Sequence, residues 1–348
     1  MTKVLIQKEF IVAKPKSSYR VLVTDYVWPS LEPERKVLSE IGAEIIETPD
    51  QSEATLAELA RDVDAVMTCF AQVTKKVVEA AKKCVVISRY GVGVDNISVD
   101  TATEQGIPVT YVPDYCVDEV SDHVMALLLS WNRQIQFYDG IAKIGDWSGT
   151  ASPYPLMRLR GRTLGIVGLG RIGQVVAKKA QSFGLNIVAF DPYVTSEQAV
   201  SIGVQLLGLP ELMASSDYIT LHPPLNEDTR ALIDANMIGR MKEDAYIINC
   251  ARGPIIDEQA LYQALSSHSI GGAGLDVMQE SSPPSGHQLF SLDNVQVTPH
   301  VAFLSQQSVL ELEIRTARAT VDVLQGRMPE FLVNHEVLDH SRIRLNAR

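Results

Sequence analysis

A glycine-rich segment between an apolar strand and a helical pattern constrains the fold of this chain more than any other feature. The segment reads TLGIVGLGRIGQVVAKKA and places Gly168, Gly170 and Gly173 at the turn. At such a turn the first glycine reverses the chain, the second lets the backbone approach a pyrophosphate, and the third lets the helix pack on the strand. Amides at the start of the helix then hold the phosphate charge. The segment therefore predicts a Rossmann domain that binds a dinucleotide.

An acidic residue after the next strand indicates which dinucleotide is bound. The strand NIVAF ends at Asp191, about twenty residues past the glycines, where a carboxylate accepts hydrogen bonds from the adenosine ribose. The same carboxylate repels a 2′-phosphate, and Pro192 and Tyr193 follow it instead of an arginine. We therefore predict NAD as the cofactor rather than NADP.

Short β-branched runs alternate with helical patterns on both sides of the glycine-rich segment. Before it, amphipathic stretches separate the runs VLVTD, AEIIE, AVMTC, VVISR and PVTYV, which is typical of βαβ units in a parallel sheet. A longer amphipathic stretch extends from Asp118 to about Tyr138, and the alternation restarts at TLGIVGLG. The last helical pattern extends from Gln306 to Leu324, with Gly326 as the predicted C-cap.

These patterns predict an α/β protein with two doubly wound parallel-sheet domains and a cleft between them. The first is a discontinuous, flavodoxin-like substrate domain at residues 1–116 and 305–348, and the second is the NAD-binding Rossmann domain at residues 117–304. The last helix is expected to return to the first domain. Residues 1–19 precede the first predicted strand and are either an extra strand or a flexible arm.

Charge and composition exclude several classes of protein. The chain has 31 basic and 42 acidic residues, a formal charge of −11, and no clustered basic segment of the kind that binds nucleic acid. The sequence MTKVLIQKEF does not resemble a signal peptide, and no apolar run approaches the roughly 20 residues of a membrane span. Four dispersed cysteines form no C-x-x-C pair, and we predict no metal site. The cytoplasm is the expected location, with neither nucleic acid nor membrane as a partner.

Polar residues follow the later apolar strands in the segments LHPPLNEDTRALI, YIINCARGPIID, GGAGLDV and NVQVTPHVAF. Ligands of open α/β folds bind at this carboxyl edge of the sheet. Arg252 and His300 stand out there. A guanidinium grips a carboxylate with two hydrogen bonds, and an imidazole exchanges protons near neutral pH. These two residues are therefore our candidates for binding an anionic substrate and moving a proton.

Several of these segments together resemble a known enzyme family. NCARGPIID, GAGLDV and TPH, in this order after GLGRIG, are similar to the D-isomer-specific 2-hydroxyacid dehydrogenases over about residues 20–330. RYGVGVDN, VPDYCVDEVSDH and PHVAFLS look closest to the branch that contains the C-terminal-binding-protein corepressors and related bacterial dehydrogenases.

The resemblance implies a role for each candidate residue. Arg252 would bind the substrate carboxylate and polarise its 2-oxo group, His300 would exchange a proton with the oxygen, and Asp276 would face the nicotinamide. Arg171 would lie at the pyrophosphate. The other residues that we assign to the cofactor site are Ile172, His222, Pro223, Thr229, Cys250 and Ala251.

On the substrate side, the backbone amides around Val92 and Gly93 would hold the carboxylate. Arg89 is either a second cation for the substrate or a residue with a plain surface or ion-pair role. Phe303 would form an aromatic wall that favours bulky or apolar 2-oxo acids over glyoxylate. We interpret His123, in the long amphipathic stretch, as structural.

One position departs from the family pattern. The family usually has a glutamate five residues past the aspartate of LDV, where it holds the proton of the catalytic histidine, and this chain has Ser281 there. Three interpretations remain open. Glu280 rotates inward through a local bulge, Ser281 replaces the acid, or the protein has drifted from catalysis towards binding.

The sequence therefore predicts an enzyme that interconverts a 2-oxo acid and a D-2-hydroxy acid by hydride transfer with NAD. The alternative is an NAD(H)-binding regulatory or scaffold protein of the corepressor type. The small-molecule substrate would be a carboxylate. We also expect a homodimer through the NAD-binding domains, because the segment from Trp147 to Leu159 carries aromatic and apolar residues without an obvious partner.

Overall fold

The structure is a computed structural model, and it describes residues 19–149, 151–343 and 345–346. The chain forms two compact units, one of Met1–Tyr115 with Val309–Arg348 and one of Cys116–Ser308. The assignment of substrate and cofactor to these units stays a prediction. The extra strand or arm considered for residues 1–19 lies almost wholly outside the described residues.

The first unit contains a five-stranded parallel sheet with the order β2-β1-β3-β4-β5. Its strands are β1 (Arg20–Val23), β2 (Glu44–Glu47), β3 (Ala65–Thr68), β4 (Val86–Arg89) and β5 (Val109–Thr110). Its helices before the second unit are α1 (Glu32–Ser39), α2 (Glu53–Ala60), α3 (Lys75–Ala80) and α4 (Val99–Glu104). This strand order is that of flavodoxin-like folds, which confirms the predicted doubly wound sheet.

The second unit contains a seven-stranded parallel sheet with the order β12-β11-β10-β9-β6-β7-β8. Its strands are β6 (Thr163–Val167), β7 (Asn186–Phe190), β8 (Gln205–Leu206), β9 (Tyr218–Leu221), β10 (Tyr246–Asn249), β11 (Gly272–Leu275) and β12 (Val295–Val297). Its helices are α5 (Val117–Arg133), α6 (Ile135–Lys143), α7 (Arg171–Ser182), α8 (Ser196–Ser201), α9 (Leu209–Ser215), α10 (Ala235–Ile238) and α11 (Glu258–Ser266). The reversal of strand order beside β6 is the Rossmann arrangement.

Both faces of the second sheet are covered by apolar side chains. Along β10, Tyr246 and Ile248 belong to one buried cluster, and Ile247 between them belongs to the other. Successive strand residues point to opposite faces, so each face of β10 packs on its own core. A strand buried on both faces reads as an uninterrupted apolar run, as YIIN does here.

The long amphipathic stretch is two helices rather than one. α5 ends at Arg133, and Gln134 adopts a left-handed conformation with φ of 51° before α6 begins at Ile135. The predicted continuation to Tyr138 was therefore wrong, because a single left-handed residue ends a helix although the amphipathic pattern continues past it. Within the described part of the chain, no helix has the length and apolarity to cross a membrane.

The last helix, α12 (Gln306–Leu324), lies mostly in the first unit and packs on its sheet. The Thr320 hydroxyl donates to the Ser88 Oγ on β4 at 2.7 Å. Gly326 follows with φ of 72°, and its amide donates to the Val323 carbonyl. The predicted helix bounds and the C-capping glycine are both confirmed.

A buried acidic residue lies in the core of the first unit. The Glu34 side chain on α1 is fully buried, and its Oε1 accepts hydrogen bonds from Trp28 Nε1 at 3.2 Å and from the Tyr90 hydroxyl at 3.1 Å. Burial raises the pKa of Glu34. Burial, with the nearby Glu34, also raises the pKa of Glu313 on α12 to about 7. This unit therefore holds two carboxyl groups whose pKa values are raised by burial.

Candidate active site

All seven strands of the second sheet are parallel, so their carboxyl ends share one edge. The candidate residues that follow these strands are Gly168 after β6, Asp191 after β7, His222 after β9, Arg252 after β10, Asp276 after β11 and His300 after β12. The sheet thus places candidates that are far apart in sequence along a single edge, where ligands of open α/β folds bind.

The turn after β6 leaves room for a pyrophosphate. A Cβ at Gly168 would lie 2.8 Å from the Pro223 nitrogen, and a Cβ at Gly173 would lie 2.3 Å from the Gly168 carbonyl oxygen. A Cβ at Gly170, by contrast, would meet nothing within 4 Å. The outer glycines are therefore required by close packing, and the space beside the middle one suits a phosphate group at the start of α7.

Asp191 lies against this glycine turn. Its Oδ2 accepts the Leu169 amide at 2.8 Å, and its Oδ1 accepts the Tyr193 amide at 2.9 Å. The carboxylate is partly exposed at the end of β7, and these two amides fix its position. A carboxylate in this place fits the ribose of a dinucleotide and opposes the additional phosphate of NADP.

The loop after β9 begins with an uncharged histidine. Burial lowers the pKa of His222 to about 4, so its ring is neutral at neutral pH. Its Nε2 lies 3.0 Å from Thr220 Oγ1, and Pro223 follows against the glycine turn. Thr229 closes the same loop, because its hydroxyl donates to the Pro224 carbonyl at 2.6 Å.

The segment after β10 holds Arg252 in an extended conformation. Asn249 organises this segment, because its Nδ2 donates to the Arg252 carbonyl at 2.8 Å and its Oδ1 accepts the Ala251 amide at 3.0 Å. The Arg252 guanidinium donates to the Ala251 carbonyl at 2.8 Å. Burial raises the pKa of Cys250 well above its usual range, so this thiol is not a nucleophile at neutral pH.

Asp276 organises the turn that carries His300. Its Oδ1 accepts the Thr298 hydroxyl at 2.6 Å and the Val301 amide at 2.9 Å, and its Oδ2 accepts the Ala302 amide at 2.9 Å. The His300 amide donates to the Asp276 carbonyl at 2.8 Å. His300 has a φ of 56°, a strained conformation for a side chain of this kind, and the contacts of Asp276 hold the backbone on both sides of it.

An aromatic ring lies beside His300. The Phe303 and His300 rings are 6.3 Å apart between centroids and meet edge to face at 87°. Phe303 is half-buried, so part of its ring faces the solvent. The aromatic wall for the substrate side chain stays a prediction.

Glu280 and Ser281, the two candidates for the acid beside His300, both have exposed side chains. Which of them is the partner of His300 stays a prediction. Glu258 at the start of α11 holds the loop, since its Oε2 accepts the Gln279 amide at 2.9 Å and its Oε1 lies 3.1 Å from His287 Nε2. One carboxylate therefore binds both ends of the loop that contains the expected acid.

The candidate residues of the first unit follow β4. Arg89 is buried, and its Nε donates to the Gly93 carbonyl at 2.9 Å while its Nη1 donates to the Tyr90 carbonyl. Its guanidinium also lies 5.9 Å from the centre of the Phe70 ring. Arg89 thus shapes the turn, and the Val92 side chain and part of Gly93 are exposed on it.

Two residues that the sequence did not single out, Asn249 and Thr298, connect the site. The Asp276 amide donates to the Asn249 carbonyl at 3.0 Å, so hydrogen bonds lead from Arg252 through Asn249 and Asp276 to His300. Thr298 could have been recognised from its place in TPH, next to the strand end. No sequence signal identified Asn249, whose role depends on its side chain turning back to its own loop.

Comparison with known proteins identifies the family of this chain. Residues 125–302 match the model of the D-isomer specific 2-hydroxyacid dehydrogenase family, NAD binding domain. D-3-phosphoglycerate dehydrogenase of Methanocaldococcus jannaschii is 41% identical over 317 residues, which cover 90% of this chain and 59% of that protein. This chain therefore spans less than two thirds of the length of that relative.

Two further proteins are similar over nearly their whole lengths. Glyoxylate reductase of Thermofilum pendens is 35% identical over 331 residues, covering 94% of this chain and 96% of that protein. The NADPH-dependent glyoxylate/hydroxypyruvate reductase of Sinorhizobium meliloti, solved in complex with NADP and malonate, superposes with a TM-score of 0.83 at 27% identity and covers 95% of this chain and 100% of its own.

All three relatives are named as dehydrogenases or reductases, which supports the enzyme prediction over the corepressor-type alternative. The predicted closeness to the corepressor branch is not confirmed by them. The family match, the extended similarity and the fold agree with one another. The chain belongs to the D-isomer specific 2-hydroxyacid dehydrogenase family.

Proposed function

We propose that this protein reduces a 2-oxo acid to a D-2-hydroxy acid with NADH, and catalyses the reverse reaction with NAD. The observation that carries the proposal is the hydrogen-bonded connection from Arg252 through Asn249 and Asp276 to His300. It holds the main chains of Arg252, the proposed cation for a carboxylate, and His300, the proposed proton donor, at the same sheet edge as the glycine turn. An anion-binding group, an acid and a dinucleotide site are the parts that this reduction needs.

The residues of this chain have separate tasks in the proposed reaction. NADH, when bound, supplies the hydride that reduces the carbonyl carbon. Arg252 binds the substrate carboxylate through two N–H groups and orients the carbonyl. His300 donates a proton to the carbonyl oxygen, which completes the hydroxyl group of the product, and accepts the proton in the oxidative direction. We assign Val92 and Gly93 to binding of the carboxylate and Asp276 to the nicotinamide side.

The choice of 2-oxo acid is a separate part of the proposal. The partly exposed Phe303 ring beside His300 offers an apolar contact to the substrate side chain. Burial of each methylene against such a ring contributes roughly 0.8 kcal/mol. We therefore propose that a substrate with an apolar side chain is preferred, although two of the relatives are named for glyoxylate.

A turnover assay tests the activity. The purified protein would be incubated with NADH and, separately, with glyoxylate, pyruvate, hydroxypyruvate, 2-oxoisocaproate and phenylpyruvate, and oxidation of NADH would be followed at 340 nm. We expect turnover with at least one of these acids and the highest kcat/KM with an apolar side chain. Absence of turnover with all of them would contradict the activity, and a preference for glyoxylate would contradict only the role of Phe303.

We also propose a homodimer formed through the second unit, in the cytoplasm. Two large apolar side chains there are strongly exposed, Ile144 at 82% and Trp147 at 85%. Exposed apolar surface of this kind is a feature of protein interfaces. Light scattering should give twice the chain mass of 38.2 kDa, and Trp147→Ser should shift the protein towards monomer. A monomer mass for the unmodified protein at micromolar concentration would contradict this proposal.

A further inference from the structure

A histidine on α5 reaches the turn that carries His300. His123 Nε2 lies 2.9 Å from the Thr298 Oγ1, and the Thr298 hydroxyl lies 2.6 Å from Asp276 Oδ1. The His123 side chain is 21% exposed, whereas the Asp276 side chain is fully buried. The contact joins residues 175 positions apart in sequence.

The direction of these hydrogen bonds follows from proton counting. A threonine hydroxyl has a single proton, and a buried aspartate carboxylate can only accept. The Thr298 hydroxyl therefore donates its hydrogen bond to Asp276, and Thr298 Oγ1 accepts a hydrogen bond from the N–H at His123 Nε2. His123 Nε2 is also 3.7 Å from Asp276 Oδ1, so the positive end of this N–H dipole lies near the carboxylate.

We propose that His123 is a positioning residue for His300, which acts through Thr298 and Asp276. Asp276 uses both carboxylate oxygens to hold Thr298, Val301 and Ala302, and it uses its carbonyl to hold the His300 amide. A donor at His123 orients the Thr298 hydroxyl towards Asp276. Without that donor, the Thr298 hydroxyl has one fewer partner to fix its orientation, and one of the three hydrogen bonds of the Asp276 carboxylate to the turn is weakened.

The strain at His300 explains why this connection matters. A residue with a Cβ in the left-handed region is strained, and it keeps this conformation only where the surrounding structure holds it there. The φ of 56° at His300 is maintained by the hydrogen bonds of Asp276. Because the proposed proton transfer needs the imidazole in one place, a small relaxation of the turn lowers kcat rather than substrate binding.

The test compares two substitutions at His123. His123→Leu removes the donor, whereas His123→Gln places a side-chain N–H at a similar reach. We expect kcat for the best 2-oxo acid to fall by about tenfold or more in His123→Leu, with KM and the Kd for NADH within about twofold. His123→Gln should restore kcat to within about threefold. Asp122→Asn, at the exposed neighbouring position bonded to Lys179, is the matched control and should leave kcat unchanged.

A second substitution protects the test against misfolding of the leucine variant. Thr298→Val removes the middle hydroxyl, and it should lose as much kcat as His123→Leu. The double variant should lose no more than either single one, because both changes interrupt the same connection. An unchanged kcat in His123→Leu, additive losses in the double variant, or an equal loss in His123→Gln and His123→Leu would each overturn the proposal.

The kinetic part rests on the proposed function, and a spectroscopic measurement separates the two. With histidines labelled by ¹⁵N, NMR should show the His123 proton on Nε2. The His300 ring signals should shift in His123→Leu and not in His123→Gln. If the protein reduces no 2-oxo acid, the proposed function is wrong. The NMR signals of His300 then decide by themselves whether His123 positions His300. Unchanged His300 signals in His123→Leu would overturn the positioning role.

Discussion

Gly253 lies directly against the backbone of Met278, so a Cβ at position 253 would come 1.9 Å from the Met278 carbonyl oxygen. The turn that carries Arg252 therefore packs on the segment that leads from Asp276 into the loop held by Glu258. Only glycine allows this approach, and the packing fixes the spacing between the ends of β10 and β11.

Gly253→Ala should displace one of these segments. We expect a loss of at least about 2 kcal/mol of stability, the cost of overpacking a rigid contact, and a decrease in kcat/KM because Arg252 moves. Thermal unfolding and steady-state kinetics measure the two effects. Gly286→Ala is the control, since a Cβ there would meet nothing within 4 Å. Equal stability and equal kcat/KM of the two variants would contradict the importance of the Gly253–Met278 contact.

Arg252→Lys should remove most of the catalytic efficiency. An ammonium group cannot donate two parallel hydrogen bonds to a carboxylate, so kcat/KM for 2-oxo acids should fall by about 100-fold. The Kd for NADH, measured by fluorescence, should stay within about twofold. Arg240→Lys, at an exposed position two residues after α10, provides the same chemical change away from the site. Retained activity in Arg252→Lys would remove Arg252 from substrate binding.

Cofactor preference should depend on the charge of Asp191. NADH should bind at least about tenfold more tightly than NADPH, because the carboxylate repels the extra phosphate. Asp191→Asn keeps an acceptor for the Leu169 amide but loses the charge, so it should narrow the preference without unfolding the glycine turn. Titration calorimetry with both dinucleotides gives the ratio. Similar Kd values for the two in the unmodified protein would refute the prediction.

The exposed loop residues should matter less than their sequence positions suggest. Glu280→Gln should leave kcat/KM within about threefold, since the Glu280 side chain is exposed on its loop. Ser281→Glu should move the alkaline limb of the pH profile to higher pH if a carboxylate there reaches the imidazole, because a carboxylate favours its protonated form. A large loss in Glu280→Gln, with no shift in Ser281→Glu, would instead assign the acid to Glu280.

Stability should fall as the pH rises through the range in which Glu313 ionises. The pKa of Glu313 is raised by burial to about 7 in the folded protein, above its ordinary value of 4.5. Its contribution to stability is therefore complete below about pH 4.5 and is lost as the pH rises through 7. In Glu313→Gln, the urea midpoint of unfolding should change less between about pH 5.5 and about pH 8 than it does in the unmodified protein. Glu336→Gln, at an exposed position, should leave the pH dependence of the urea midpoint unchanged. Identical pH dependence in the two variants would contradict the role of Glu313.

The parts of the site that the sequence predicted are those with local causes. The glycine turn and the ends of α12 depend on residues within a few positions of one another, and Asp191 is placed by the strand that directly precedes it. Each lies where its pattern placed it. The left-handed Gln134 had no local signal, because the apolar periodicity continues across it. The helix break there could not be read from the pattern alone.

The remaining features depend on contacts between distant residues. The sequence places His123 beside Asp122 in a long amphipathic stretch and indicates only a structural residue. Its contact with Thr298 arises only when α5 packs on the sheet. Likewise, the exposure of Ser281 follows from how Glu258 holds the loop, and Glu258 precedes that loop by a whole helix and strand.

The attachment of both ends of one loop to Glu258 separates the loop interior from the rest of the unit. Gln279 and His287 are bound to the same carboxylate, so residues 280–286 between them form a surface loop with both ends held together. Insertions or replacements within residues 280–286 leave the hydrogen bonds of Gln279 and His287 to Glu258 in place. Chains of this kind can therefore acquire new sequences beside the sheet edge without disturbing the strands that carry Arg252 and His300.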